Sequence, residues 1–334
     1  MWQGLLVCIT LTATGVGLAR LPALASSGIS PLVIALLLGI LAGNTPLTRT
    51  LRHTAPGLTF ATRRLLRAGI VLFGLSLTLQ QVAALGPRVL LLDILVISSV
   101  LITGYVIGTR VLGMDRETTL LTSAGSAICG AAAVLATEST IRARPAATAM
   151  AVATVVLFGS LAMLVYPLLY PLLDMEEGLY GIYIGATVHE VAQVVAAGEA
   201  VGPDALANAV IAKLVRVMLL VPFLLIVGQW WLRRRDGATG EAEAEAGTGL
   251  VIPWFAFGFM AMVVVNSLVT LPAPLHDGLV LVGQLSLTMA MAALGYETRL
   301  ERLRSLGLRP FILALTLFAL LLTGGGLASR LLMG

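Results

Sequence analysis

The sequence contains little charge, little histidine and very little cysteine. Only 11% of its 334 residues are charged, whereas an ordinary soluble domain carries about 25%. Apolar residues make up 58%, and the mean hydropathy is +0.98. These values exclude a cytosolic globular enzyme, a disordered chain and a nucleic-acid-binding protein. They indicate a polytopic membrane protein whose solvent is mostly the lipid bilayer.

The two cysteines and the basic residues exclude further classes. Cys8 and Cys129 both fall in apolar stretches, so they do not form the framework of a disulfide-rich protein. Lys213 is the one lysine among 21 basic residues, and nearly all the arginines lie in a few short connectors. That placement is the usual orientation signal of membrane helices and does not indicate a nucleic-acid-binding face.

Eleven apolar runs are candidates for membrane helices, because a spanning helix needs about 20 mainly apolar residues. The runs cover residues 2–18, 30–43, 65–79, 89–111, 118–137, 146–169, 179–198, 206–231, 251–271, 279–294 and 310–332. We therefore predict an all-α polytopic membrane protein with ten or eleven transmembrane helices. The first run resembles a signal peptide, but no basic residue precedes its apolar stretch, so we predict a retained N-terminal helix over 1–28.

Three arginine-rich connectors predict the orientation, since Lys and Arg concentrate in cytoplasmic loops. If all eleven runs cross, the N-terminus lies in the cytoplasm and the C-terminus outside. Residues 233–250, in which three arginines precede a Gly/Glu/Ala-rich stretch, are predicted to form a flexible cytoplasmic loop. The connectors hold Arg49, Arg52, Arg63, Arg64 and Arg67; Arg233, Arg234 and Arg235; and Arg299, Arg302, Arg304 and Arg309.

Two connectors contradict this orientation. Arg142 and Arg144 would face outside, and the acidic residues Asp174, Glu176 and Glu177 would face the cytoplasm. Both conflicts vanish if runs five and seven are re-entrant hairpins that do not cross. We interpret both runs as broken helices that cross the membrane, because acidic residues weigh little in orientation. The hairpin alternative stays open.

Run five carries glycines, small polar residues and a cysteine at its middle, namely Gly125, Ser126, Cys129 and Gly130. Gly weakens a helix interior by about 1 kcal/mol relative to Ala, so we predict a break between Gly125 and Gly130. A helix broken at that depth exposes backbone groups that lipid cannot satisfy, and the N-terminus of its second half suits an anion. Close helix packing through small residues is the alternative.

Run seven contains His189, Glu190 and Gln193 near its middle. Ionisable groups are costly in lipid and usually face a polar interior, so these residues are candidates for an ion pathway. A structural hydrogen bond to a neighbouring helix is the alternative. The run departs from the zinc-hydrolase signature His-Glu-x-x-His at its last position, where Gln193 stands, so we do not expect a zinc site.

Run eight contains Lys213 and Arg216, which are three residues apart and share a helical face. Lys213 lies about 11 residues, or roughly 16 Å, from Gly202, which places it near the middle of the bilayer. Two cations at that depth need partners. Either Glu190 forms a buried ion pair with them or a dianionic solute binds there.

Other polar residues within the runs are weaker candidates. Asn266, Gln284, Ser286 and Asp93 would line a solute path. Taken singly, each is more typical of a hydrogen bond between two helices.

Four short segments carry a further signal, namely Ser126-Ala-Ile-Cys-Gly130, Val188-His-Glu-Val-Ala-Gln-Val194, Ala212-Lys-Leu-Val-Arg216 and Met289-Ala-Met-Ala-Ala-Leu-Gly295. Together they resemble the YeiH-type family, whose members are described as sulfate exporters. The resemblance covers nearly the whole chain from run two onward. Ala127 and Tyr296 depart from the family pattern, and neither change removes a charged group.

The resemblance implies a secondary transporter related in fold to bile-acid symporters and sodium/proton antiporters. In that fold two inverted repeats, here 29–172 and 173–334, each contribute a discontinuous helix, and a core domain moves against a panel domain. Runs five and ten would be the crossed pair of broken helices.

We therefore predict an ion-coupled transporter of a small anion, such as sulfate or a related sulfur oxyanion or sulfonate, in the bacterial inner membrane. Gly125, Ser126, Cys129, Gly130, Gln193, Lys213 and Arg216 would bind the solute. His189 and Glu190 would carry a coupling proton or sodium ion. No cofactor, metal or nucleic acid is expected, and a homodimer is one option. An intramembrane metalloenzyme using His189 and Glu190, or a passive anion channel, is the alternative.

Overall fold

The computed structural model describes residues 1–21, 31–45, 54–236, 254–297 and 307–334. Most of the predicted loop at 233–250 lies outside these ranges, although its first four residues continue a helix that ends at Asp236. Arg49, Arg52, Arg299, Arg302 and Arg304 also lie outside the described residues.

Helices make up the regular structure of the described residues, which confirms the prediction of an all-α polytopic membrane protein. Six helical segments there are long and apolar enough to cross a membrane. The α-helices are α1 Trp2–Ala19, α2 Pro31–Gly43, α3 Ala55–Phe60, α4 Leu66–Phe73, α5 Leu79–Val106, α6 Arg116–Ala127, α7 Ala131–Ile141, α8 Pro145–Leu169, α9 Glu177–Thr187, α10 Val191–Val201, α11 Pro203–Met218, α12 Leu220–Asp236, α13 Trp254–Leu268, α14 Ala273–Glu297 and α15 Leu308–Met333.

Helix α5 begins ten residues earlier than run four predicted, at Leu79 instead of Val89. Thr78 caps this early start, because its side chain accepts from the backbone N–H of Gln81 and the Gln81 side chain accepts from Thr78 in return. A kink follows at Gly86, which has a φ of 60° and precedes Pro87. The kink explains why the apolar run predicted a helix start at Val89, on the far side of Gly86.

The helices form two groups, as expected for a core and a panel. Helices α1, α2, α3, α4, α13 and α14 pack with one another, and α5 to α12 pack with α15. Helix α10 of the second group contacts α2 and α14 of the first. In the first group, Gly39 and Gly295 let α2 and α14 approach so closely that a Cβ on either would collide with backbone atoms of the other helix. The division into two inverted repeats stays a prediction.

Run five forms a helical hairpin, which we call the first hairpin (α6 and α7). Its two ends meet through Arg144, which follows α7. The Arg144 guanidinium lies 2.9 Å from Asp115 and 2.9 Å from Glu117, at the start of α6. The chain therefore enters and leaves this hairpin at the same end of the bundle.

Run seven forms the second hairpin (α9 and α10). The Glu177 carboxylate, at the start of α9, accepts the backbone N–H of Asp204 at 2.8 Å and that of Ala205 at 3.3 Å. Both hydrogen bonds tie the start of α9 to the start of α11, the helix that follows α10. Helix α8 connects the two hairpins, and its 25 residues are about 37 Å long. The hairpins therefore enter from opposite ends of the bundle.

The main interpretation of runs five and seven as crossing helices is wrong, and the hairpin alternative is correct. The physical reason is length: arms of 11 or 12 residues are about 17 Å long, roughly half of a hydrocarbon core. The predicted pairing of runs five and ten is also wrong, because run ten lies in the single helix α14, whereas the breaks occur in runs five and seven.

Cross-linking tests the first hairpin. In a protein lacking both native cysteines, we expect Glu117→Cys and Arg144→Cys to be joined by a short bismaleimide, because the two side chains are in contact. A continuous helix would separate them by about 40 Å. The measurement is mass spectrometry of the proteolysed product. Pairing Glu117→Cys with Glu177→Cys, at the other end of α8, is the control, and a cross-link only in that control would contradict the hairpin.

Candidate functional site

The first hairpin turns at residues 128–130, as the glycine content of run five predicted. Helix α6 ends at Ala127, and Ile128 leaves helical geometry with φ −121° and ψ −80°. Gly130 has a φ of 66°, a conformation that side-chain-bearing residues rarely adopt, and its N–H donates to the Gly125 carbonyl at 2.9 Å. Gly125 lies against Val134 of the returning arm and Val155 of α8, with no space for a Cβ.

The second hairpin turns at residues 188–190. Val188 has extended backbone angles and ends α9, and Glu190 is the N-cap residue of α10. Glu190 and Gln193 form a capping box, in which the Gln193 Oε1 accepts the Glu190 N–H at 3.0 Å. The three-residue spacing of Glu190 and Gln193 is therefore the signature of a helix beginning.

The two tips meet. The Glu190 carboxylate accepts the backbone N–H of Ala131, the first residue of α7, at 3.2 Å. A Cβ on Gly130 would collide with the Cγ of Glu190, so glycine is needed there both for its backbone angle and for the approach of the second hairpin. Glu190 thus touches the N-terminal ends of two helices, one from each hairpin.

Four helix ends come together at this contact. The C-terminal ends of α6 and α9 present backbone carbonyls, and the N-terminal ends of α7 and α10 present N–H groups. Helix dipoles add partial negative charge to the first pair and partial positive charge to the second. Lipid cannot satisfy these groups, so side chains must do so.

Lys213, on α11, bonds one carbonyl from each hairpin tip. Its Nζ donates to the Ile128 carbonyl at 2.6 Å and to the Val188 carbonyl at 2.7 Å. The side chain has no exposed surface. One buried ammonium group therefore holds both turns.

Arg216, about one helical turn further along α11, also bonds backbone carbonyls of both hairpin tips. Its guanidinium donates to the carbonyls of Ser126, Ala127 and Ala186 at 3.0, 2.7 and 2.5 Å. The first two belong to the end of α6 and the third to the end of α9. Lys213 and Arg216 therefore cap two helix C-termini, where positive charge is stabilising.

Of the two partners predicted for these cations, Glu190 does not pair with them directly, because no Glu190–Lys213 or Glu190–Arg216 salt bridge occurs in the described part of the chain. The carboxylate lies instead at the helix N-termini, and the cations lie at the C-termini. Solute contact by Lys213 and Arg216 stays a prediction, since both now bond to backbone carbonyls.

The remaining predicted site residues fall into two sets: those at the hairpin tips and those predicted to line a solute path. Ser126, Cys129, His189 and Gln193 are buried at the tips, and the Ser126 Oγ, His189 Nδ1 and Gln193 Nε2 have no hydrogen-bond partner among the described residues. Glu190 is half-buried, so this acidic side chain at the tip is partly open to its surroundings.

Three of the four predicted path residues lie on α13 and α14, away from the turns in sequence. Asn266 donates to the Leu77 carbonyl at 3.0 Å, and the Ser286 hydroxyl donates to Val282 of its own helix at 2.7 Å. Gln284 is exposed on α14. Their role in a solute path stays a prediction.

Sequence reasoning missed the main partners of the cations, the backbone carbonyls, because no residue type marks a carbonyl acceptor. It also ranked Asp93 of α5 among the weak candidates. Asp93 is fully buried, and neither carboxyl oxygen has a hydrogen-bond partner among the described residues. In the same part of the chain, no three His, Cys, Asp or Glu side chains are grouped closely enough to hold a metal ion.

A glycine pair tests the contact between the tips. Gly130→Ala should lower the free energy of unfolding by about 1–2 kcal/mol from its positive φ and by a further 1–3 kcal/mol from the collision with Glu190. Gly113→Ala is the matched control, since Gly113 has a φ of 60° but open space around it. Thermal unfolding of the purified protein measures both, and equal losses would contradict the close approach of Glu190.

Comparison with known proteins places the chain in a family. Residues 3–314 match the profile of a family described as Conserved hypothetical protein 698. The UPF0324 membrane protein PA5383 of Pseudomonas aeruginosa is 47% identical, over 98% of this chain and 93% of the relative. The UPF0324 inner membrane protein YeiH of Salmonella typhi is 44% identical over 98% and 93%, and that of Escherichia coli K12 is 43% identical over 96% and 91%.

No solved structure matches the chain. The predicted resemblance to the YeiH-type family is confirmed, and the inner-membrane relatives agree with a multi-pass membrane protein. The chain belongs to the UPF0324 (YeiH) family of membrane proteins, described as Conserved hypothetical protein 698.

Proposed function

We propose that the protein is a secondary active transporter of a small anion that works by alternating access, and that it is not an enzyme. The observation that carries this proposal is the meeting of two helical hairpins that enter from opposite ends of the bundle. Discontinuous helices of this kind place ion and substrate sites near the middle of the membrane in many transporters.

The hairpins supply the two gates that alternating access requires. Each hairpin fills one half of the membrane thickness, so withdrawal of one tip opens a path from one side only. The packing of α10 against α2 and α14 links the second hairpin to the other helix group. Movement of one group against the other would therefore move the tip that carries Glu190.

The tips provide groups for an anion and for a coupling ion. Helix N-termini offer N–H donors, and Lys213 and Arg216 supply two positive charges within the same cluster. Glu190 now occupies the N-terminal position that an anion would take. A proton or sodium ion on Glu190, with His189 beside it in the chain, would neutralise this carboxylate and let the solute replace it. Sulfate, related sulfur oxyanions and sulfonates fit this charge balance.

The hairpins also support the orientation with the N-terminus inside and the C-terminus outside. When runs five and seven do not cross, nine segments remain, and Arg142 and Arg144 move to the same side as the other arginine-rich connectors. Asp174, Glu176 and Glu177 move to the outside. Both conflicts with the positive-inside rule are removed.

Counterflow in proteoliposomes tests the transport function. We expect saturable exchange of labelled sulfate, sulfite, thiosulfate or a sulfonate, and a loss of at least about tenfold in Lys213→Gln, the change in rate that one lost charge-assisted hydrogen bond produces. Because Lys213 also bonds both turns, this variant should unfold at a lower temperature, and flux is expressed per folded molecule.

Asn208→Ala, on the same helix as Lys213, is the control for that experiment, since its hydrogen bond to the Gly178 carbonyl lies outside the tips. It should retain flux. Full flux per folded Lys213→Gln molecule would contradict a role for Lys213 in transport, and non-saturable, voltage-driven conductance would favour the passive channel instead.

Glu190→Gln tests the coupling. The variant keeps the shape of the carboxylate but cannot be ionised, so we expect exchange to lose its dependence on pH or sodium while the protein still folds. Glu199→Gln, in the same helix, is the matched control and should keep the wild-type dependence. Uptake is measured across imposed proton and sodium gradients, and a Glu190→Gln protein that still concentrates solute would rule out Glu190 as the coupling residue.

A further inference from the structure

Asp93 is a buried carboxyl group for which the proposed function gives no role. It lies on α5, has no exposed surface, and neither Oδ1 nor Oδ2 has a hydrogen-bond partner among the described residues. Burying a carboxylate without donors is costly. A transmembrane acidic residue in this position needs a partner in another conformation or a proton.

The partner lies on a helix packed against α5, because α5 contacts α11, which carries Lys213 and Arg216. Asp93 is close enough for its charge to interact with theirs, although no salt bridge joins them in the described part of the chain. Arg216 uses its Nε, Nη1 and Nη2 on three hairpin carbonyls. A guanidinium group has five N–H donors and binds a carboxylate in preference to neutral carbonyls.

Other charged groups do not compete for Asp93 at this depth. Helix α5 packs against α6, α9, α11, α13 and α15. Apart from Lys213 and Arg216, the charged residues of these helices stand near helix ends, and α13 has none. Those at the ends are Arg116 and Glu117 on α6, Glu177 on α9, Asp204 on α11, and Arg309 and Arg330 on α15.

We propose that Asp93 is the alternative partner of Arg216 and that its protonation decides whether the hairpin tips are held. With a proton on Asp93, the guanidinium stays on the carbonyls of Ser126, Ala127 and Ala186. When the proton leaves to water, the Asp93 carboxylate draws the guanidinium away, and the ends of α6 and α9 are released. This gives the tips a proton-operated latch separate from Glu190.

The inference rests on the proposed function for its meaning in transport, but its test needs no solute and no flux. Cys129 lies in the first tip and is 5% exposed, and the sequence has only one other cysteine, Cys8. In a Cys8→Ser protein, Cys129 therefore reports the release of the tip by its reaction with N-ethylmaleimide. The rate is measured by mass spectrometry from mildly acidic to mildly alkaline pH.

We expect Cys129 to react faster at alkaline pH in the parent than in Asp93→Asn, by about tenfold, the factor that corresponds to one charge-assisted hydrogen bond. Thiol ionisation occurs in both proteins and cancels in the comparison. Loss of a nearby negative charge would by itself favour the reactive thiolate, so a slower reaction in Asp93→Asn cannot arise from that effect. Asp93→Glu should restore the pH response.

Asp277→Asn, which changes an exposed carboxylate on α14, is the control and should behave like the parent. Equal pH profiles for the parent and Asp93→Asn would overturn the proposal. Failure of Asp93→Asn to fold would also overturn it, because the latch requires a neutral side chain at this position to favour the held arrangement. Flux can fail while the latch is present, so the two proposals are tested separately.

Discussion

Four helix ends meet in the middle of this protein, and the need to satisfy them in a lipid environment determines the rest of its structure. Lys213 and Arg216 bond five carbonyls at the ends of α6 and α9, and Glu190 accepts an N–H at the start of α7 while capping α10. Charge of each sign thus lies at the helix ends whose dipoles attract it. Burying the two cations is tolerable because carbonyl oxygens from both hairpins surround them.

This arrangement makes the two hairpins depend on one another. Lys213 and Arg216 each donate hydrogen bonds to carbonyls of both hairpins. A tip that withdraws therefore either breaks its hydrogen bonds to these side chains of α11 or draws the side chains with it and exposes the carbonyls of the other tip. Such a junction favours two discrete arrangements over a continuous range, which is what the proposed alternating access requires. Glu190, the acidic residue of this junction, is only partly buried.

The sequence predicted the ingredients of this site better than their arrangement. Gly125 and Gly130 marked the first break, and the mid-membrane depth of Lys213 and Arg216 marked them as residues with buried partners. The hairpin geometry was foreseen only as an alternative, because the evidence for it was a conflict in loop charges around Arg144 and Glu177. Both residues prove to tie the open ends of the hairpins.

The partners of the cations could not be predicted, because backbone carbonyls leave no trace in residue identity.

Hydrogen–deuterium exchange at the two tips tests the central claim most directly. In Arg216→Gln, the account predicts that the amides around residues 126–131 and 186–193 lose protection together, since one guanidinium bonds both helix ends. Loss of protection at a single tip, or at neither, would contradict a shared junction.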